Sequence, residues 1–197
     1  MKKNEVSFAE MKGPLGELAD QCGSEENGRN RFEEFKLWLK GVFPKLLKLV
    51  CTVSVSTHKC FVMDEASLQS ANIGWTGANF KRVMMGKVEE NVPAREVNIH
   101  ELRERSLDPE IMAEMGRAKR VTHLAHFIEM LEKQSKGQTG ELKTDGSANV
   151  AYIQGTDGNF WAVYAYWDDL NHDWGVGARS VGNPDEWFAG YQFFSQV

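Results

Sequence analysis

The chain has 197 residues, 42% hydrophobic and 26% charged, with a formal net charge of −5. That length suits one globular domain, large enough to bury about 70% of its unfolded surface without disulfide or metal support. Six tryptophans and eleven phenylalanines exclude a wholly disordered chain, and no stretch approaches the roughly 20 apolar residues of a membrane span.

The N-terminal segment, residues 1–28, is polar and glycine-dotted, and is expected to be flexible or partly helical. It starts basic but has no apolar run behind it, so no secretory leader is read there. Residues 29–197 are then expected to form a single α+β domain. Cys22, Cys51 and Cys60 are odd in number and lack CxxC spacing. Such cysteines point to a reducing cytoplasm, with no disulfide and no cysteine zinc site. A bacterial, cytoplasmic protein is expected.

From Arg29 the pattern becomes helical. Phe32, Phe35, Leu39, Val42, Phe43, Leu46, Leu47 and Val50 recur at steps of three and four, with Pro44 as a break or kink. Val53 and Val55 then alternate with Thr52, Ser54 and Ser56, and Cys60 to Met63 follow. This predicts a hairpin turning near Thr57-His58, in which Cys60 opposes Val55 and Cys51 opposes Asp64. Residues 64–94 read as a glycine-rich loop leading into a short helix or strand. Glu96 to Arg103 alternates and reads as a strand.

Asp108-Pro109-Glu110 is a helix start: Asp108 as N-cap, Pro109 in the first turn, Glu110 against the dipole. The helix is expected to reach about Lys136, with Val121, Leu124, Ile128 and Leu131 as its core stripe. Residues 137–148, rich in Gly, Lys, Thr and Ser, read as an internal linker.

The tail from Asn149 to Val197 holds 12 of the 21 aromatic residues, six acids and one base, Arg179. It therefore carries a charge of −5 while the rest of the chain balances at zero. Three strands are expected, Val150 to Gln154, Asn159 to Trp167 and Trp174 to Val181, with a fourth at Tyr191 to Ser195. The fold class is thus α+β, two main helices packed on antiparallel sheet with a C-terminal β-meander. If the loop Asp168 to Asp173 closes a regular hairpin, facing residues sum to 341. Trp167 then meets Trp174, Tyr166 meets Gly175, and Tyr164 meets Gly177. Alternation sorts the side chains into two faces. Tyr152, Trp161, Val163, Ala165, Trp167, Trp174, Val176 and Ala178 make a core face. Ile153, Phe160, Ala162, Tyr164, Tyr166, Gly175, Gly177 and Arg179 make the other.

That second face either patches the weak spots left by strand glycines or forms a shallow groove. As a groove it would comprise Tyr164, Tyr166 and Arg179, bordered by Asp168, Asp169, His172 and Asp173. Tyrosine hydroxyls, ring faces and carboxylates suit a basic or polar protein or small-molecule partner. The expected function is an interaction or ligand-binding protein, alone or as a homodimer, acting through this face. The rival is a small hydrolase-type enzyme whose histidines and carboxylates converge in three dimensions.

Other chemistry finds little support. His123, His126 and Glu129 share a helix side and could meet a metal, but flanking an apolar stripe they read better as half-buried packing residues. No GxSxG, P-loop or GxGxxG occurs. The aspartates of the tail loop miss the EF-hand spacing. Paired acids for glycoside hydrolysis leave no spacing signal. An acidic, lysine-free aromatic tail disfavours nucleic acid. Arg117, Lys119 and Arg120, with Arg103 and Arg105, read as a solvated helix face. No cofactor is expected.

Overall fold

A computed structural model describes residues 45–116 and 122–197. The elements in chain order are β1 (Leu47–Val55), β2 (His58–Val62), α1 (Glu65–Ser70), β3 (Ile73–Thr76), α2 (Ala78–Met84), β4 (Val88–Val92) and β5 (Arg95–Leu102). Then follow α3 (Asp108–Met115), α4 (Leu124–Lys133), β6 (Asn149–Gln154), β7 (Phe160–Asp168), β8 (Asp173–Ser180) and β9 (Gln192–Gln196). Seven strands form one sheet in the order β1-β5-β9-β6-β7-β8-β3, and β2 pairs with β4 apart from it. The fold is therefore mixed α and β. The sheet is mixed too, because β3 runs parallel to β8 and β9 runs parallel to β6.

Two apolar cores form, one on each face of the large sheet. The first gathers Phe80, Val83, Leu124, Phe127, Ile128 and Leu131 from α2 and α4 against Val97, Ile99, Val163, Val176 and Phe194. The second gathers Ile111, Met112 and Met115 of α3 with Trp187 against Val150, Tyr152, Ala162 and Phe193. Strand β1 feeds both. A bulge between Leu49 and Cys51 inserts one residue and reverses the phase of the strand. Leu47, opposite Leu102, therefore faces the second core, while Cys51 and Val53, opposite Ile99 and Val97, face the first.

That bulge explains one correction. Leu46, Leu47 and Val50 fit a helical period, yet Leu47 to Val50 lie in β1. A bulged strand breaks strict alternation and imitates a three-to-four-residue step. The rest of that expected helix, like residues 1–28, lies outside the described residues. The expected β1–β2 hairpin does not form either. β1 pairs with β5, and β2 pairs with β4, where Cys60 faces Glu90. The Ser56 N–H and hydroxyl both donate to the Glu129 carboxylate, at 2.8 and 2.9 Å, which draws the chain away from the sheet before β2 begins. Cys51 and Cys60 are free thiols on separate sheets.

In 64–94 the chain makes two helices and two strands rather than one element. Asp64 caps α1 by accepting the Ser67 N–H at 2.9 Å. Gly86, at φ 74°, turns the chain from α2 into β4, a conformation that favours glycine. The long helix expected from Asp108 to Lys136 is two helices. Gly116, at φ 78°, ends α3, and α4 begins afresh at Leu124. Leu124, Ile128 and Leu131 are its buried stripe as expected; Val121 lies outside the described residues, as do Arg117, Lys119 and Arg120. The main helices are thus four short ones among the described residues. Residues 137–148 follow a path tied to Gln134, whose side chain bonds Gln138 O, Leu142 O and the Leu142 N–H.

In the tail, β6, β7 and β8 form the expected meander, and β7 and β8 pair in the register that sums to 341. The fourth strand leaves it: β9 lies between β5 and β6. Tyr152 also changes face. β6 and β7 pair Ile153 with Trp161 and Tyr152 with Ala162, so Tyr152 belongs to the second core and Ile153 to the first. The loop between these strands sets an even sum, 314, which places odd-numbered residues opposite odd-numbered ones.

Candidate functional site

β8 carries glycine at 175 and 177 on the face it shares with Tyr164 and Tyr166. The rings use that space. A Cβ on Gly175 would sit 2.4 Å from Tyr166 Cζ, and one on Gly177 would sit 2.3 Å from Tyr164 Cζ. Each tyrosine therefore lies across the backbone of the neighbouring strand, as ring-over-glycine pairing requires. Neither ring is buried completely.

The next strand, β3, adds an aromatic residue that the sequence reading passed over. Trp75 pairs with Gly175 in the sheet, so it shares this face. Its ring centroid lies 6.3 Å from that of Tyr166, tilted by 46°. Gly77 gives it room, with a hypothetical Cβ only 3.1 Å from the indole. Trp75 is 49% exposed. Its signal was present in Gly74-Trp75-Thr76-Gly77, where two glycines flank a tryptophan and a threonine, but its neighbour Gly175 is 100 residues distant and joins it only through a parallel pairing.

The acids lie at the end of the strip. Asp168 and Asp173 are paired residues of the hairpin. Asp168 is spent on the loop itself: it accepts the Leu170 N–H at 2.8 Å, the Asn171 N–H at 3.3 Å and the Asn171 amide at 2.8 Å. These donors hold its carboxyl below the usual aspartate range. Asp173 instead lies over the bare Cα of Gly74, and its pKa is raised by burial and by the charge of Asp168. Tyr166 is shifted the same way, first by burial, then by Tyr164, Asp168 and Asp173. Asp169 and His172 are exposed in the loop. His172 takes φ 55°, and its carbonyl accepts the Asn72 amide at 2.8 Å, which anchors the loop to the turn after α1.

Arg179 is placed differently from the other expected site residues. Its Nη2 lies 3.3 Å from Asp108 Oδ2, and its guanidinium stacks 3.5 Å over the Trp187 ring. Asp108 is fully buried. Its Oδ1 accepts the Tyr152 hydroxyl at 2.8 Å and the Trp187 indole N–H at 2.6 Å. Asp108 was expected to cap α3. It is instead the first residue of that helix, turned inward, and Glu110 accepts the Leu107 N–H at 3.2 Å. Burial raises the Asp108 pKa against the pull of Trp187, Tyr152 and Arg179. It also raises that of Tyr152, with Asp108 adding to the effect. Arg179 is therefore a bound structural cation, sharing Trp187 with Tyr164, whereas Tyr166 lies beside Trp75.

The histidines cluster around the start of α4. His123 stands just before the helix and His126 in its first turn, with ring centroids 5.4 Å apart at 84°. His58 joins from β2, 5.9 Å from His126. Its Nε2 lies 3.0 Å from Glu129. His126 is buried, bonds the Ser56 carbonyl at 3.2 Å, and has its pKa lowered by burial and by His123. Glu129 is occupied by Ser56, His58 and Lys133. Burial raises its pKa, but those donors outweigh it and bring it down to about 2. Glu89 of β4 accepts the Leu124 and Ala125 N–H groups at 3.2 and 2.9 Å and so caps α4 from another strand. Its pKa too is brought down to about 2, burial notwithstanding, by His123, the Ala125 N–H and Lys87. Among the described residues no group of three His, Cys, Asp or Glu side chains is arranged to hold a metal ion. No helix among them is long and apolar enough to cross a membrane. No protein-family model, curated protein or solved structure matches the chain.

Proposed function

We propose that this chain is a binding protein whose aromatic strip, Trp75 and Tyr166 at the open end and Tyr164 beside Trp187, receives a basic segment of a protein partner. One observation carries the reading: a half-exposed tryptophan stands beside a tyrosine, on a glycine floor, at the acidic end of the sheet. A guanidinium or ammonium over an indole gains about 0.5–2 kcal/mol from the ring quadrupole. Asp173 supplies a carboxylate whose ionisation burial and Asp168 oppose, and a bound cation relieves that opposition. Asp169 and Asp168 add long-range attraction, which salt screens.

The rival reading, a small hydrolase-type enzyme, draws on the convergence of His58, His123 and His126 with Glu89 and Glu129. Both carboxylates are already committed to backbone and side-chain donors that hold the fold. The binding reading therefore comes first.

The test is titration of the full chain with arginine- and lysine-containing peptides, followed by the indole N–H resonance of Trp75. Binding should weaken about tenfold in Trp75→Ala, the loss of one partly desolvated cation–π contact. The denaturation midpoint should barely move, because Trp75 is half exposed. Peptide binding that ignores Trp75→Ala and Tyr166→Ala alike would remove the strip from the function.

A further inference from the structure

A cavity of about 220 Å³ opens beside the start of α4, lined by Lys87, Glu89, Glu90, Val92, Thr122, His123 and Gln154. It lies apart from the aromatic strip and shares no residue with it. Thr122 is the informative member. It is 3% exposed, and its hydroxyl has no hydrogen-bond partner. An unsatisfied buried hydroxyl costs about 1–3 kcal/mol, so a native site that keeps one calls for an explanation.

The remaining polar groups divide into spent and unspent. Glu89 is spent on Leu124, Ala125 and Lys87, the last at 2.9 Å. Lys87 is thereby neutralised. Gln154 uses its amide N–H₂ on the Gly158 carbonyl, which leaves its Oε1 open. Glu90 has no hydrogen bond or ion pair among the described residues. His123 turns Nδ1 toward Glu89 at 3.8 Å, which leaves Nε2 as its other nitrogen. The unspent groups are therefore mostly acceptors: the Glu90 carboxylate, Gln154 Oε1 and Thr122 Oγ1. With Lys87 cancelling Glu89, the lining keeps the single negative charge of Glu90.

We propose that this cavity binds a small molecule carrying a primary ammonium group. Three N–H donors on one cation match three unpartnered acceptors on residues that line one cavity, and Glu90 matches the charge. Val92, fully buried, gives the carbon portion an apolar wall. A ligand hydrogen bond to Thr122 supplies the partner that the fold does not.

The experiment is NMR titration of the full chain with ethanolamine and, separately, with ethylene glycol, its uncharged counterpart. Ethanolamine should shift the Thr122 methyl and Gln154 amide resonances, and ethylene glycol should not. Glu90→Gln should weaken ethanolamine about tenfold, the loss of one charge-assisted contact. Thr122→Val should weaken it about threefold while leaving the denaturation midpoint equal or higher, because the substitution removes an unpartnered buried hydroxyl. Leu170→Ala, at an exposed residue outside the cavity lining, should leave ethanolamine binding unchanged. Equal shifts from both probes, no shift from either, or shifts confined to Trp75 and Tyr166 would each overturn the assignment.

Discussion

The two ends of β8 carry the same alternation toward the same face and meet opposite fates. At one end Gly175 and Gly177 lie beneath Tyr166 and Tyr164, and Trp75 stands half exposed beside them. At the other, Arg179 is held, mostly buried, between Asp108 and Trp187. The difference is a matter of cover. α3 and the segment around Trp187 pack over the Arg179 end and close the second core there. Nothing in the period-2 pattern of the strand distinguishes the ends. A sheet face becomes core or surface according to what arrives from elsewhere in the chain, and the charge that faces the cover must then be matched.

The closed end should be the more fragile when broken. Asp108→Ala leaves Arg179 mostly buried without its carboxylate and removes an acceptor from both Tyr152 and Trp187. A loss of about 3–5 kcal/mol is expected in chemical denaturation, the usual effect of stranding one partner of a buried pair. If Asp108→Ala costs less than about 1 kcal/mol, the network does not hold the cover in place.

Acid probes the other face, beneath α4. The carboxyls of Glu89 and Glu129 sit at about 2 against an ordinary 4.5. Their folded-state pKa values are depressed, so their stabilisation is complete above about pH 4.5 and is lost as pH falls toward 2. Each contributes at most about 3 kcal/mol. The lowered pKa of His126 has the same sign, with its loss beginning below 6.5. Denaturation midpoints measured between pH 7 and pH 2.5 should fall steadily, and Glu129→Gln should flatten the lower part of that curve.

Where a ring lies over a strand glycine the face should be sensitive to added bulk. Gly177→Ala places a methyl 2.3 Å from Tyr164 Cζ, so the ring must move. A cost of about 1–3 kcal/mol is expected. Tyr164→Ala in the same chain should recover part of it, giving a non-additive cycle. Additive effects would mean that ring and glycine are not in register. The smallest stability effect, within about 0.5 kcal/mol, belongs to Trp75→Ala, even though peptide capture is expected to depend on that residue.

Much of the meander was legible. Trp167 to Trp174 is a short loop between two alternating segments, so closing it leaves one register, and with it the tyrosines fall over the glycines. Turn chemistry placed Pro109 in the first turn of α3. Other features were not legible, for identifiable reasons. The bulge at β1 disguised a strand as a helical period. Gly116 ended a helix inside a pattern that otherwise continued. Asp108 looks like a cap to any local rule, because its three true partners lie 44, 71 and 79 residues away. Trp75 entered the strip through a parallel pairing that no local signal announces.

What the sequence alone determined is local: the strands of the tail, the pairing of β7 with β8, the two faces of that hairpin, and the charge that its loop carries. These follow from the two-residue period and the length of one loop. Only the tertiary structure decided that the Arg179 end of the second face is covered and the Trp75 end open, that Arg179 and Tyr164 meet Trp187 while Tyr166 meets Trp75, and that Thr122, Gln154 and Glu90 border one cavity. Those outcomes depend on contacts between residues far apart in the chain, and periodicity carries no information about which distant segment comes to cover a face.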